Sequence, residues 1–175
     1  MEILHTAAFE TPIGEMLAVS SGVGLLYLEL PHASGRGLGG FLRGASPDAR
    51  TLEGFAPNRA AITQVCEFLE GKRREFSLHL DVRGTEFQRA VWAELPKIPY
   101  GETRSYGDIA RAIDRPRAVR AVGAANGANP LPLVLPCHRV IASDGRLQGF
   151  GGGIELKSRL LAMERSEEPG QGRLL

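Results

Sequence analysis

The sequence predicts an α+β protein, a small N-terminal α/β unit followed by a mostly helical C-terminal unit that contains a helix-turn-helix. Three observations predict it. Short apolar runs separated by glycine turns, with one period-two alternation, fill roughly the first 80 residues. Helix-capping patterns and helical spacing take over after Arg83-Gly84. Two short helical stretches then meet at the break Asp114-Arg115-Pro116. The expected organisation is residues 1–82, an N-terminal supporting domain with a flexible loop near 33–50; residues 83–165, the second domain; and residues 166–175, a flexible polar tail.

In chain order, MLAVSSGVGLLYLEL offers two short strands around a hairpin-like turn. The glycine-rich stretch PHASGRGLGGFLRGASPDART has few apolar anchors and reads as a long flexible loop. NRAAITQVCEFLEGK spaces Ile62, Val65, Cys66 and Leu69 as one helical face, with Gly71 as its stop. REFSLHLDV alternates Phe76, Leu78, Leu80 and Val82, which predicts a strand.

Thr85 and Gln88 form a capping box ahead of EFQRAVWAELPKI, with Phe87, Val91 and Leu95 on the buried face and Pro96 and Pro99 ending it. Ser105 caps a short helix, YGDIARAI, with Asp108 in its first turn and Ile109, Ala110 and Ile113 as its apolar side. Pro116 suits the start of the next helix, RAVRAVGAANGAN, which is dense in alanine and glycine. Its small side chains let it approach another surface closely, and a plain helical hairpin has the same pattern. Leu131 to Leu135 reads as a short apolar strand, Asp144-Gly145 as a turn, and IELKSRLLAMER as a closing helix packed through Leu156, Leu160, Leu161 and Met163.

Composition excludes several classes. No apolar run approaches the roughly 20 residues of a membrane span. The N-terminus lacks the basic and apolar regions of a signal peptide, so cytoplasmic residence is expected. Cys66 and Cys137 lie far apart and outside any CxxC, and the four histidines show no paired ligand spacing, so no metal site is expected. The net charge of +1 does not announce a nucleic-acid binder. Its distribution says more, because residues 101–146 hold seven arginines against four acids, the cation suited to phosphate forks. A solvated helical face gives the same pattern.

The stretch LPLVLPCHRVIASDG places Cys137, His138 and Arg139 together where an apolar segment ends. A thiol becomes a nucleophile as the thiolate, which needs a base or a positive setting. Adjacent side chains diverge, so a Cys137–His138 relay runs more naturally through a water than directly. A carboxylate must orient the imidazole, and Asp144, Glu155 and Glu164 are the downstream candidates.

Beyond these residues, SYGDIA, RAVRAVG, ANP, LPCHRVI, GFGGG and K-x-x-LL-x-x-E follow one another in an order and spacing that resembles the O6-alkylguanine-DNA alkyltransferases, over about residues 84 to 165. The resemblance implies a ribonuclease-H-like N-terminal fold and a single, irreversible transfer of an alkyl group from O6-alkylguanine, or O4-alkylthymine, to Cys137. It implies His138 as the water-linked base, Glu164 as its orienting carboxylate, Asn129 as the tie between helix and active-site segment, and Tyr106 as proton donor to the leaving guanine. Arg120 would enter the duplex in place of the extruded nucleotide. Ala118, Ala121 and Gly123 would lie in the minor groove, with Tyr106 and Arg139 also assigned to the DNA side. Pro136, Val140, Phe150 and Gly151 would form the substrate pocket. Arg139 is also expected to hold the segment together through backbone or carboxylate contacts. No cofactor is implied. The partner would be double-stranded DNA carrying the lesion, bound by a monomer, with no membrane involved.

Phe150 stands where many members carry a tyrosine, so the apolar wall is kept and a hydroxyl donor is lost. The alternatives are a non-catalytic lesion sensor, which lacks the cysteine that this chain has; a transcription regulator, for which no further module fits in 175 residues; and a cysteine hydrolase, which would turn over without DNA.

Overall fold

The structure is a computed structural model and describes residues 1–33 and 35–166. The expected tail at 166–175 therefore lies, but for Ser166, outside the described residues. Four strands form one sheet: β1 (Ile3–Thr11), β2 (Gly14–Ser20), β3 (Leu25–Glu29) and β4 (Arg50–Glu53). Their order is β3-β2-β1-β4, with β1 antiparallel to β2, β2 antiparallel to β3, and β4 parallel to β1. The hairpin read from MLAVSSGVGLLYLEL is the β2–β3 pair. The strands β1 and β4 carry no strong sequence mark, since β1 mixes Ala and Thr into its alternation and every residue of β4 is exposed.

Alternation along β2 sends Met16 and Ala18 to one face and Leu17 and Val19 to the other. The first face packs against α2 (Arg59–Leu69), whose Ala61, Ile62, Val65, Phe68 and Leu69 are buried. Gly71 follows with φ +74°, a left-handed stop that glycine adopts without strain. The second face packs against α1 (Gly37–Ala45). This helix corrects the expected flexible loop near 33–50. Its glycines weaken intrinsic helicity, but Leu38, Phe41 and Leu42 share one side and dock on Leu4, Val19 and Leu26, with Phe41 stacked on Tyr27 at 5.1 Å.

The predicted strand at Phe76–Val82 is a second correction. Only one isolated bridge forms, Leu25 to Leu80. The backbone of Ser77 is taken instead by the Gln64 side chain, which accepts from Ser77 N at 2.9 Å and donates to its carbonyl at 3.2 Å. Phe76, Leu78, Leu80 and Val82 still pack on the core, so the alternation marks burial without a ladder.

The C-terminal half holds α3 (Glu86–Glu94), α4 (Tyr106–Ala112), α5 (Val119–Gly127) and α6 (Ile154–Arg165). The expected capping box of Thr85 with Gln88 is present on α3, and the expected cap Ser105 on α4 also forms a reciprocal box with Asp108. Trp92 takes the buried place on α3 expected of Phe87, which is half-buried, and Trp92 Nε1 donates to Ala125 O of α5 at 2.7 Å. The helix α5 begins at Val119, later than the Pro116 start expected, because Arg115–Ala118 closes as a turn after Asp114 at φ +58°. Two residues, β5 (Arg104–Ser105), pair in parallel with β6 (Val140–Ile141) and bring the start of α4 beside the segment that follows Cys137. The main apolar core runs continuously from Phe9 to Met163, across the joint at Arg83.

Candidate active site

The expected strand Leu131–Leu135 is a buried turn. Asn129 makes it one, accepting from Leu131 N at 2.9 Å and donating from Nδ2 to Leu135 O at 2.7 Å. Leu135 N also reaches Leu131 O, and Leu133 is held at φ +73°, a left-handed conformation that costs a non-glycine residue energy. The turn delivers Cys137–Arg139 as a short 3-10 helix in which all three side chains are buried. Their polar groups must then find partners inside the protein.

Most do. His138 Nε2 lies 2.5 Å from Glu164 Oε2 on α6, and neither side chain is exposed. Arg139 Nε donates to Glu164 Oε1 at 2.7 Å, and Nη1 donates to the Ile98 carbonyl at 2.8 Å. Burial would raise the Glu164 carboxyl, but hydrogen bonds from His138 and Arg139 outweigh it and hold it at about 2. Burial lowers the His138 imidazole, and the attraction of Glu164 only partly opposes this. The stable combination is a neutral imidazole beside a carboxylate. Since the carboxylate can only accept, the ring proton sits on Nε2 and leaves Nδ1 as a bare lone pair.

Cys137 is 5 % exposed. Desolvation pushes its thiol up to about 11, although Asn129 and Lys157 pull the other way. A free thiol in this setting is protonated at neutral pH and needs a base to react. Lys157, whose role the sequence reading did not assign, is fully buried and donates to Val140 O at 2.6 Å and Gln148 O at 2.8 Å. Burial brings its ammonium down to about 8, with the Cys137 sulfur opposing that shift. The only sequence signal for it was its place in K-x-x-LL-x-x-E. Tyr106, from the first turn of α4, donates its hydroxyl to the same Gln148 carbonyl at 3.1 Å, and burial raises its phenol.

A cavity of about 990 Å³ opens onto Cys137 and is lined by Asn126, Asn129, Pro132, Phe150 and Gly151 together with residues of α1 and α3. Phe150 and Gly151, expected as pocket residues, are among those that wall this cavity. Pro136 and Val140 are not on this wall. Both are buried, Val140 completely, with its carbonyl spent on Lys157. The DNA-side assignment of Arg139 is corrected too. It is 6 % exposed and tied to Glu164 and Ile98, so it braces the segment, as its alternative role required. On α5, Arg120 and Ala121 are exposed and Ala118 is half-buried, while Gly123 turns toward the Tyr106 ring.

Among the described residues, no group of three or more His, Cys, Asp or Glu could hold a metal ion, and no helix is long and apolar enough to cross a membrane.

Comparison with known proteins adds the following. Residues 86–166 match a sequence family described as 6-O-methylguanine DNA methyltransferase, DNA binding domain. A methylated-DNA–protein-cysteine methyltransferase of Mycobacterium bovis is 41 % identical over 170 residues, covering 95 % of this chain and 96 % of that protein. One of Methanosarcina acetivorans is 40 % identical, covering 93 % of this chain and 99 % of the relative. The crystal structure of Mycobacterium tuberculosis OGT in complex with DNA superposes with a TM-score of 0.80 at 40 % identity, covering 94 % of this chain and 95 % of that one.

Proposed function

The chain belongs to the methylated-DNA–protein-cysteine methyltransferase family, and from that premise we propose that it repairs DNA by one irreversible transfer, in which Cys137 takes the alkyl group of an O6-alkylguanine flipped out of the duplex. The observation that carries this reading is the buried relay beside the cavity. His138 spends Nε2 on Glu164, keeps Nδ1 free, and follows Cys137 directly in the chain.

The steps follow from the chemistry of these groups. An alkyl group stacked inside a duplex is out of reach, so the nucleotide leaves the helix at a cost of a few kcal/mol. α5 has a small exposed face with one long cation, Arg120, which suits close approach to a minor groove and replacement of the extruded base. α4 and α5 act together as the helix-turn-helix. His138 Nδ1 takes the thiol proton through a water, and Glu164 steadies the imidazolium. Sulfur attacks the alkyl carbon, the S–C bond forms as the bond from that carbon to O6 breaks, and guanine leaves with the electron pair. Tyr106 keeps its proton at neutral pH and would release Gln148 O to donate to the departing base. The thioether has no easy reverse, so each molecule acts once and needs no cofactor. Phe150 and Gly151 wall the alkyl group, and O4-alkylthymine is a second substrate of the same pocket.

Incubation with a duplex carrying one O6-methylguanine, followed by intact mass measurement, tests the reading. One added methyl on Cys137, lost in Cys137→Ser, is expected. Repeated turnover without an adduct would overturn it. Tight lesion binding without transfer would point to a sensor, a reading that the presence of Cys137 disfavours.

A further inference from the structure

Two buried acceptors belong to residues tied to Cys137, one next to it in the chain and one bonded to its carbonyl, and neither has a hydrogen-bond partner among the described residues: His138 Nδ1 and Asn126 Oδ1. Chemistry fixes both assignments. Glu164 forces the imidazole proton onto Nε2. Asn126 Nδ2 donates to the Cys137 carbonyl at 3.3 Å, and since a carbonyl can only accept, the amide is oriented with Oδ1 left over. Asn126 is 1 % exposed, sits in the last turn of α5 and lines the cavity onto which Cys137 opens. Buried polar atoms in native proteins are nearly always satisfied, so two bare acceptors on residues tied to one nucleophile call for a donor that the protein itself does not supply. The Cys137 S–H offers one hydrogen and serves only one of them. A water offers two, and its oxygen remains free to accept from sulfur.

We propose that Asn126 is a positioning residue of the proton relay: its carboxamide oxygen and His138 Nδ1 together hold the water through which the Cys137 thiol is deprotonated. The inference rests on the transfer reading given above. The water donates one hydrogen to Asn126 Oδ1 and one to His138 Nδ1, which turns a lone pair toward the S–H bond. As the S–H bond breaks, its proton passes to the water while the water's own proton passes to Nδ1. Sulfur keeps the electron pair, and the products are thiolate, water and imidazolium. Asn126 thus couples α5 to the thiol twice, through the Cys137 carbonyl and through the relay.

The groups that set the pH response are few. Lys157 of α6, Tyr106 of α4 and Asn129 face Cys137; Glu164 and Lys157 of α6 and the adjacent Arg139 face His138, and the ring of Phe68 on α2 lies 6.2 Å from the imidazole. None of them is altered in Asn126→Leu.

The test is single-turnover methyl transfer from an O6-methylguanine duplex as a function of pH, wild type against Asn126→Leu. The expected result is a rate about tenfold lower at neutral pH, with the rate curve displaced to higher pH and the two proteins converging in alkali. A rate lowered equally at every pH means that Asn126 is only a structural tie, and overturns the proposal. Should the variant not fold, a crystal structure of the wild type near 1.2 Å decides. A water within about 3.2 Å of both Asn126 Oδ1 and His138 Nδ1 is expected. A site that is dry, or acceptors satisfied by other groups, would overturn the relay. Absence of any methyl adduct on the wild type would instead sink the transfer reading itself.

Discussion

Two arginines organise two carboxylate networks in this molecule, and the networks differ in one physical variable. Arg139 bonds Glu164 and the Ile98 carbonyl beneath the active-site segment, with Glu164 wholly shielded from solvent. Arg83, at the joint between the halves, reaches Glu2 at 2.6 Å, Asp81 at 2.6 Å, Ser46, and the end of α1 at Ala45 O. The hydrogen bonds of Arg83 hold the Glu2 carboxyl at about 2, the same value as Glu164. Equal acidity does not mean equal consequence. The Glu2 side chain is 36 % exposed and Arg83 24 %, so water and salt screen their attraction, whereas nothing screens Glu164. The exposed hub fastens parts of the scaffold together. The buried one fixes a tautomer.

The comparison breaks most visibly at Arg139. Arg139→Leu leaves the Glu164 charge buried with His138 and the Gly101 amide as its remaining donors among the described residues, and no full positive charge beside it. The expected loss is about 3–5 kcal/mol of unfolding free energy, because the surviving carboxylate keeps its desolvation penalty without its partner. Urea unfolding of the variant checks this. A loss no larger than that of Arg83→Leu would abolish the distinction between the hubs.

Glu164→Gln separates charge from shape. The amide is close in volume, yet it replaces an anion that accepts from His138 and Arg139 at once. Methyl transfer is expected to slow by about 10²-fold, the low end of what a positioned base supplies. The acid response changes as well. A carboxyl held at about 2 against an ordinary 4.5 stabilises the fold above pH 4.5, and that share is lost as pH falls toward 2. The Glu164→Gln protein should therefore lose less stability than wild type on titration through that window, whatever its stability at neutral pH.

Arg83→Leu probes the exposed hub and should cost about 1 kcal/mol, allowing for solvent screening. The difference from wild type should shrink in 1 M NaCl, where charges more than about 3 Å apart are screened. The Arg139→Leu difference should not shrink. Thermal unfolding at low and high salt reads both, and a salt-sensitive Arg139 effect would show that the buried hub is wetter than its geometry implies.

The sequence was legible where local rules govern and opaque where distant partners do. Thr85, Gln88, Ser105 and Asp108 announced two helix starts because a capping box is written within four residues. Phe76 to Val82 announced burial but not the absence of a ladder, since Gln64, 13 residues away from Ser77, takes the backbone groups a neighbouring strand would have used. The glycines of α1 hid a helix whose stability comes from docking on Leu4, Val19 and Leu26. At the site, Cys137 and His138 stood out as neighbours. The choice of Glu164 over Asp144 and Glu155 came through resemblance alone, because spacing carries no record of which turn of α6 faces an imidazole. Asn126 and Lys157 escaped notice for a related reason. One looks like a polar residue ending a helix and the other like a surface charge, and only the packing of α5 and α6 buries them.

The smallest expected effect locates how much of the joint is held by charge. Thr85 lies two residues beyond Arg83 and accepts from Gln88 N at 3.1 Å, while Gln88 accepts from Thr85 N at 3.0 Å. Thr85→Ala removes one bond of this box and should cost about 1 kcal/mol or less, since the box is exposed and water takes over the freed amide. The cap and the Arg83 hub grip the same stretch of chain from opposite directions, the cap toward α3 and the hub toward β1 and α1. If they act independently, the double variant Arg83→Leu with Thr85→Ala loses the sum of the single losses. A loss beyond that sum would mean that the hub sets the entry angle of α3. The exposed network would then reach the site as well, since α3 holds α5 through Trp92 and Ala125.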